Sequence, residues 1–119
     1  MNKIRDNGIA ISMGDSTYMF GGSYVFGRAS EKNTSEILKN GHWEEGPTIP
    51  DGIEAGCGVA ISKTELLLIG GSRTNKRIIK YNTKNNSWNV IASLQIRRSN
   101  HRCLVYKNQV FVTSGSGNL

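Results

Sequence analysis

The sequence predicts an all-β protein built from a repeated unit of short antiparallel strands. Three apolar runs end in a glycine pair or its remnant, at residues 18–22, 67–71 and 111–115. The spacing is 49 residues from Gly21 to Gly70 and 44 residues from Gly70 to Ser114. Trp43 and Trp88 repeat at a similar spacing of 45 residues. Self-similarity at such a period indicates one supersecondary unit that is used several times.

Each unit opens with two apolar strands that form a hairpin. The predicted pairs are residues 9–12 and 17–20, residues 57–61 and 65–69, and residues 102–106 and 109–113. Both strands of each pair are almost wholly apolar, which is typical of strands that are buried on both faces. We therefore expect both faces of each hairpin to be covered.

In the first two units, a polar loop follows the glycine pair and leads into a second, more amphipathic hairpin. Its predicted strands are residues 35–39 and 42–44 in the first unit, and residues 77–81 and 87–90 in the second. The first of these hairpins turns at Asn40-Gly41, and Asn-Gly is the strongest two-residue hairpin signal. Four short antiparallel strands make one blade of a β-propeller, in which blades pack around a central channel.

The second unit resembles a kelch repeat, because it combines a strand ending in Gly-Gly with a later Tyr and Trp. The first unit departs from the family pattern, since Glu36 stands seven residues before the Trp, where Tyr is expected. The third stops after its second strand. The motif positions, which we interpret as structural, are Gly21, Gly22, Trp43, Gly70, Gly71, Tyr81, Trp88 and Gly115.

The resemblance divides the chain into about two and a half repeats. We place an N-terminal extension at 1–6, repeats at 7–52 and 53–97, the first half of a third repeat at 98–115 and a tail at 116–119. A propeller closes with about four to eight blades. We therefore expect a partial kelch-type propeller that stays open unless further copies of the chain, or a longer parent protein, complete it.

Charge is distributed unevenly along the chain. The net charge is +6, but residues 1–55 carry −3 and residues 56–119 carry +9. The second half should therefore attract an acidic partner, although a solvated basic face would give the same pattern. No secretory signal or apolar membrane span is recognisable, so we expect a cytoplasmic protein without a membrane partner.

No catalytic constellation, cofactor motif or metal site is recognisable in the sequence. The two histidines, His42 and His101, come from different units, and no carboxylate stands at a metal-like spacing from either. Cys57 and Cys103 occupy nearly equivalent positions in neighbouring inner strands. Buried free thiols are the favoured interpretation, and a disulfide between blades is the alternative in an oxidising compartment.

The best candidate for a partner-binding site is the basic loop before the third unit, which consists of Arg97, Arg98, Ser99, Asn100 and His101. In kelch propellers that this chain resembles, such loops open onto the face where partners dock. A guanidinium suits an acidic peptide, because it grips a carboxylate with two parallel hydrogen bonds. Many members of the family that this chain resembles have Arg-Ser at this point of the loop, and Arg98 with Ser99 matches it. The loops after the glycine pairs, residues 23–33 and 72–76, are second candidates.

The resemblance implies a non-catalytic protein-interaction module, as in substrate receptors of ubiquitin ligases or in cytoskeletal scaffolds. Two alternatives stay open. The chain could be a fragment of a propeller enzyme of the galactose oxidase or sialate mutarotase type, although nothing in it supplies that chemistry. It could also bind nucleic acid or another polyanion through its basic surface, which the position of its aromatic residues in strand interiors disfavours.

Overall fold

The computed structural model describes residues 5, 7–22, 33–50, 53, 55–71, 76–96, 98, 101–113 and 115. These residues form ten β-strands and no helix, so none of them forms a helix that could cross a membrane. The strands are β1 (Ile9–Met13), β2 (Ser16–Phe20), β3 (Ser35–Lys39), β4 (His42–Glu45), β5 (Cys57–Ala60), β6 (Glu65–Ile69), β7 (Arg77–Asn82), β8 (Ser87–Ser93), β9 (Arg102–Tyr106) and β10 (Gln109–Thr113). The predicted all-β class is confirmed.

The strands form two complete blades and one half-blade. Blade 1 is a four-stranded antiparallel sheet in the order β1-β2-β3-β4, and blade 2 repeats it as β5-β6-β7-β8. The half-blade contains only β9 and β10. The innermost strands β1, β5 and β9 lie side by side, which is how the blades of a propeller surround their axis.

Blade 1 packs against blade 2 through a shared apolar cluster. We call the side of a blade that packs on the following blade its forward face, and the opposite side its rear face. Phe20 on the forward face of blade 1 and Leu68 on the rear face of blade 2 are both fully buried in this cluster. Trp88 of blade 2 meets Phe20 edge-on, with ring centroids 5.9 Å apart. Trp88 therefore takes part in the packing between the two blades.

Blade 2 packs against the half-blade through a second, smaller cluster. Its forward face contributes Cys57, Leu67 and Ile69, and the rear face of the half-blade contributes Cys103 and Val112. The forward face of the half-blade has no described strand against it. The structure is therefore an open, incomplete propeller.

Burial follows the number of neighbouring blades. Strand β6 lies between two neighbours, and its last four residues are all buried, as its apolar sequence predicts. Strand β1 alternates between buried and exposed residues, because only its forward face is covered by a described blade. The expectation that both faces of every inner hairpin are covered is therefore wrong for the first and third units.

The two cysteines form a disulfide between β5 and β9, which corrects the favoured interpretation as free thiols. Their sulfur atoms are bonded, and their Cα atoms lie 6.0 Å apart. The reason lies in the strand register. Cys57 pairs with Ile69, the last residue of β6, whereas Cys103 pairs with the second-last residue of β10. An offset of one residue turns a side chain to the other face of a sheet, so the two thiols face each other across the interface.

Candidate partner-binding loop at the half-blade

A loop leads into each inner strand, and in all three loops the residue four positions before the first residue of that strand occupies the same place. This position is Arg5 before β1, Ile53 before β5 and Arg98 before β9. Gly22 N donates a hydrogen bond to Ile53 O over 2.8 Å, and Gly71 N donates to Arg98 O over 3.0 Å. The glycine pair of one blade therefore anchors the loop that enters the next, and the main chain of Arg98 is held in place.

The first glycine of each pair allows this close approach. Gly21 and Gly70 both have φ near +64°, a left-handed conformation that residues with side chains rarely adopt. A Cβ atom on Gly21 would overlap the Ile53 carbonyl, and one on Gly70 would lie 3.1 Å from Arg98 O. The glycine pair is thus a docking point for the next loop, as its position between blades predicts.

His101 is buried inside the loop and does not reach the surface. Its side chain is 1% exposed, and Nε2 lies 2.8 Å from the Ile69 carbonyl, to which the ring donates. The Nδ1 atom has no partner among the described residues. Burial lowers the pKa of His101. The hydrogen bond to Ile69 raises the pKa, and the positive charges of Arg98 and Arg102 lower it further. In this structure His101 joins the half-blade to blade 2 and is inaccessible to a partner.

Arg98 is the other predicted loop residue that the structure describes. It is half-buried, and its charge lies close enough to His101 to lower the pKa of that ring. Arg97, Ser99 and Asn100 lie outside the described residues, as do most of the loops after the two glycine pairs. The partner-binding role of this loop therefore stays a prediction.

An ion pair at the equivalent position in blade 1 shows what an arginine does there. Arg5 Nε donates to Glu36 Oε2 over 3.1 Å, and Arg5 Nη1 donates to the carbonyls of Gly21 and Thr34 over 2.7 and 3.3 Å. The two charged side chains are 0% and 2% exposed. Removing one partner of a buried ion pair costs about 3–5 kcal/mol. Sequence reasoning missed this pair, although Arg5-Asp6-Asn7 and Arg98-Ser99-Asn100 share an Arg-X-Asn signal.

Strand register corrects the motif assignment in blade 1. Tyr81 pairs directly with Trp88, and the residue that pairs with Trp43 is Leu38, so Leu38 and not Glu36 holds the tyrosine position. The first hairpin turns in two residues and the second in four, which shifts the count by two. Glu36 is therefore not a substituted tyrosine. It is the partner of Arg5.

Tyr81 itself has a structural role in blade 2. Its ring packs on Trp88 at 4.5 Å between centroids, and its hydroxyl donates to Asn86 Oδ1 over 2.8 Å. Burial raises the pKa of Tyr81, with a smaller contribution from Tyr18. Among the described residues, no group of His, Cys, Asp and Glu side chains is arranged to hold a metal ion.

The all-β architecture of open, four-stranded antiparallel blades is consistent with a partial kelch-type β-propeller. Residues 55–95 match the family model of the Kelch motif. This stretch is blade 2 with the loop that enters it, and it is the unit in which every motif element is present. No curated protein matches the chain. Kelch motifs are typically protein-interaction modules, which supports that class of function at the level of the family.

Proposed function

We propose that the chain is a non-catalytic recognition module that binds an acidic segment of a partner protein through Arg98. The observation that supports this proposal is the placement of Arg98 at the position where Arg5 holds a carboxylate in blade 1. The carbonyl of Arg98 accepts a hydrogen bond from Gly71 N, which fixes the main chain from which the guanidinium side chain extends. Preorganised arginines bind carboxylates with more strength and direction than mobile ones.

In this proposal the module provides recognition within a larger assembly, such as a ubiquitin-ligase adaptor or a cytoskeletal scaffold. The Kelch motif match supports a protein partner. The basic charge of residues 56–119 would draw an acidic partner toward the loop. The arginines of the loop would then bind the carboxylates of that partner.

Binding of a fluorescein-labelled glutamate-rich peptide tests the proposal. We expect saturable binding that Arg98→Ala weakens about tenfold or more, because a charged hydrogen bond is worth about 1.5–3 kcal/mol. Lys107→Ala is the matched control, since it removes the same charge at the exposed far end of the β9–β10 hairpin. Equal weakening by both variants, or equally tight binding of unrelated nucleic acids with a steep salt dependence, would overturn the proposal.

A further inference from the structure

The turn between β7 and β8 contains a tripeptide that recognition through Arg98 does not use. Asn85-Asn86-Ser87 matches the Asn-X-Ser/Thr pattern of an N-glycosylation acceptor, and so does Asn33-Thr34-Ser35 at the start of β3. A pattern this short also occurs by chance in a chain rich in asparagine. The structure distinguishes the two matches, because it shows what each acceptor side chain contacts.

At Asn85 the acceptor side chain lies on the surface. Asn85 is exposed in the four-residue turn between the two outer strands of blade 2. Ser87 Oγ donates an exposed hydrogen bond to Asn85 Oδ1 over 2.5 Å, so the first and third side chains of the tripeptide lie together. This bond engages Oδ1 and not Nδ2, the atom to which an oligosaccharide is attached. A bulky glycan can extend into solvent from such a position.

At Asn33 the acceptor side chain is part of the packing of blade 1. Asn33 Nδ2 donates to the carbonyl of Ile49, which is fully buried, over 3.0 Å. Ser35 is 4% exposed, and its hydroxyl donates to the carbonyl of Pro47 over 2.5 Å. A glycan on Asn33 Nδ2 would compete with the segment that these two side chains hold. The structure therefore favours Asn85 as the acceptor.

The disulfide between β5 and β9 points to a compartment in which this modification takes place. Cys57 and Cys103 are bonded, and disulfides persist chiefly in oxidising compartments such as the secretory pathway. An Asn-X-Ser/Thr tripeptide is modified in proteins that pass through that pathway and is found on their surface loops. The disulfide and the exposed tripeptide are thus two independent features that suit the same compartment.

The outer edge of blade 2 also lacks the protection that charge gives to blade 1. Strand β8 is the outermost described strand of blade 2 and reads Ser-Trp-Asn-Val-Ile-Ala-Ser, without a charged residue. Val90 and Ile91 in this strand are 57% and 50% exposed. The outermost strand of blade 1, β4, ends in Glu44-Glu45, and charge commonly protects an edge strand from pairing with another chain. A glycan two residues before β8 would cover the start of this edge.

We propose that Asn85 is the acceptor of an N-linked oligosaccharide, added in the oxidising compartment where the disulfide forms. Asn85 Nδ2 bonds to the anomeric carbon of an oligosaccharide that a lipid pyrophosphate carries. The bond from that carbon to the phosphate oxygen breaks, and the lipid pyrophosphate leaves with the electron pair. A base of the oligosaccharyl transferase takes the proton that Nδ2 loses.

The modification is compatible with recognition through Arg98 and does not depend on it. Gly70 N donates to Arg77 O at the start of β7, and Gly71 N donates to Arg98 O. The turn that carries Asn85 follows the other end of β7, so a glycan there would leave the basic loop open. It would place the recognition outside the cytosol, away from ubiquitin-ligase and cytoskeletal assemblies.

Secretion of the full chain from cultured animal cells, behind a leader peptide that is cleaved off, tests the assignment. We expect peptide N-glycosidase to increase the electrophoretic mobility of the secreted protein. The enzyme should convert residue 85 into aspartate and leave residue 33 as asparagine, which mass spectrometry of the peptides shows. Asn85→Gln and Ser87→Ala should each abolish the mobility change, because each removes a required side chain. Asn89→Gln is the matched control at an exposed site in β8 outside the pattern, and it should keep the change.

Two outcomes would overturn the assignment. One is a secreted protein whose mobility the enzyme does not alter, and the other is a mobility change that persists in Asn85→Gln. The same secreted protein should contain no free thiol after denaturation, since the disulfide and the glycan are acquired in one compartment. A glycosylated protein with both thiols free would overturn the link between the disulfide and the modification.

Discussion

At the scale of single residues, His101 links burial, charge and the attachment of the half-blade. Its ring fills the space against Gly70 and donates to the Ile69 carbonyl, between two arginines. A proton on Nδ1 would be buried without a partner among the described residues. The neutral ring is therefore the form that stabilises the fold.

The stability of the protein should consequently fall in mildly acidic solution. Because the folded pKa of His101 is lowered, the unfolded state takes up more protons as the pH drops below about 6.5. The contribution of His101 to the free energy of unfolding is therefore fully present above that pH, and it decreases as the pH falls toward the folded pKa. We expect thermal unfolding followed by circular dichroism to shift to lower temperature between about pH 7.5 and 5.5.

The other histidine provides the matched control for this prediction. His42 is exposed on β4, so His42→Gln should keep the pH dependence that His101→Gln removes. An unchanged pH dependence in His101→Gln would assign the effect to other groups.

Residue-level expectations can be drawn from the sequence where a residue type has one dominant physical role. The glycine pairs point to a crowded turn between blades, because glycine combines positive φ with close backbone approach, and Gly21 and Gly70 have both. The partnership of Arg5 with Glu36 was missed, since it joins residues 31 positions apart and depends on strand register. Glu36 was misread as a lost tyrosine for the same reason.

At the scale of elements, strand positions were predictable and their faces were not. Apolar runs and the Asn40-Gly41 turn located all ten strands. A shift of one residue in strand register decides whether two cysteines at similar positions in neighbouring strands point to the same side or face each other. The spacing of the cysteines in the sequence does not reveal that shift. The disulfide that results does not favour the cytoplasmic location that the sequence predicts, because disulfides persist chiefly in oxidising compartments.

The disulfide should contribute strongly to the stability of the half-blade. It joins residues 46 positions apart, and removing such a bond typically costs about 2–4 kcal/mol. We expect reductant, Cys57→Ser and Cys103→Ser each to lower the urea midpoint by similar amounts. Reductant should have no effect on either serine variant, which serves as the internal control. Full reactivity of both thiols in the unreduced, denatured protein would contradict the bond.

At the scale of the whole molecule, the open ring leaves an apolar surface on the last sheet. Leu104, Tyr106 and Phe111 on the forward face of the half-blade are 53%, 51% and 44% exposed. In the complete blades the equivalent face packs on the next blade and is buried. The free energy that apolar burial contributes at each interface between blades is therefore not gained on this face.

We expect this surface to drive self-association. Three copies would supply six complete blades and three half-blades, which is more sheets than the about four to eight blades of a closed ring, and each half-blade would still lack two outer strands. A head-to-tail contact that does not close forms open chains. The mass measured by light scattering should therefore rise steadily with protein concentration and should not stop at a discrete trimer.

Charge placed on the forward face should prevent this association. Leu104→Lys combined with Phe111→Lys puts two like charges where the next sheet would pack, and desolvating them there is unfavourable. The control is Asn89→Lys with Gln95→Lys, which adds the same charge at exposed sites on blade 2 and the segment after it. We expect the first variant to stay monomeric and the control to associate like the unchanged chain. A chain that is monomeric at every concentration would show that the exposed face is not adhesive, and a discrete trimer would show that the copies complete a ring despite the missing strands.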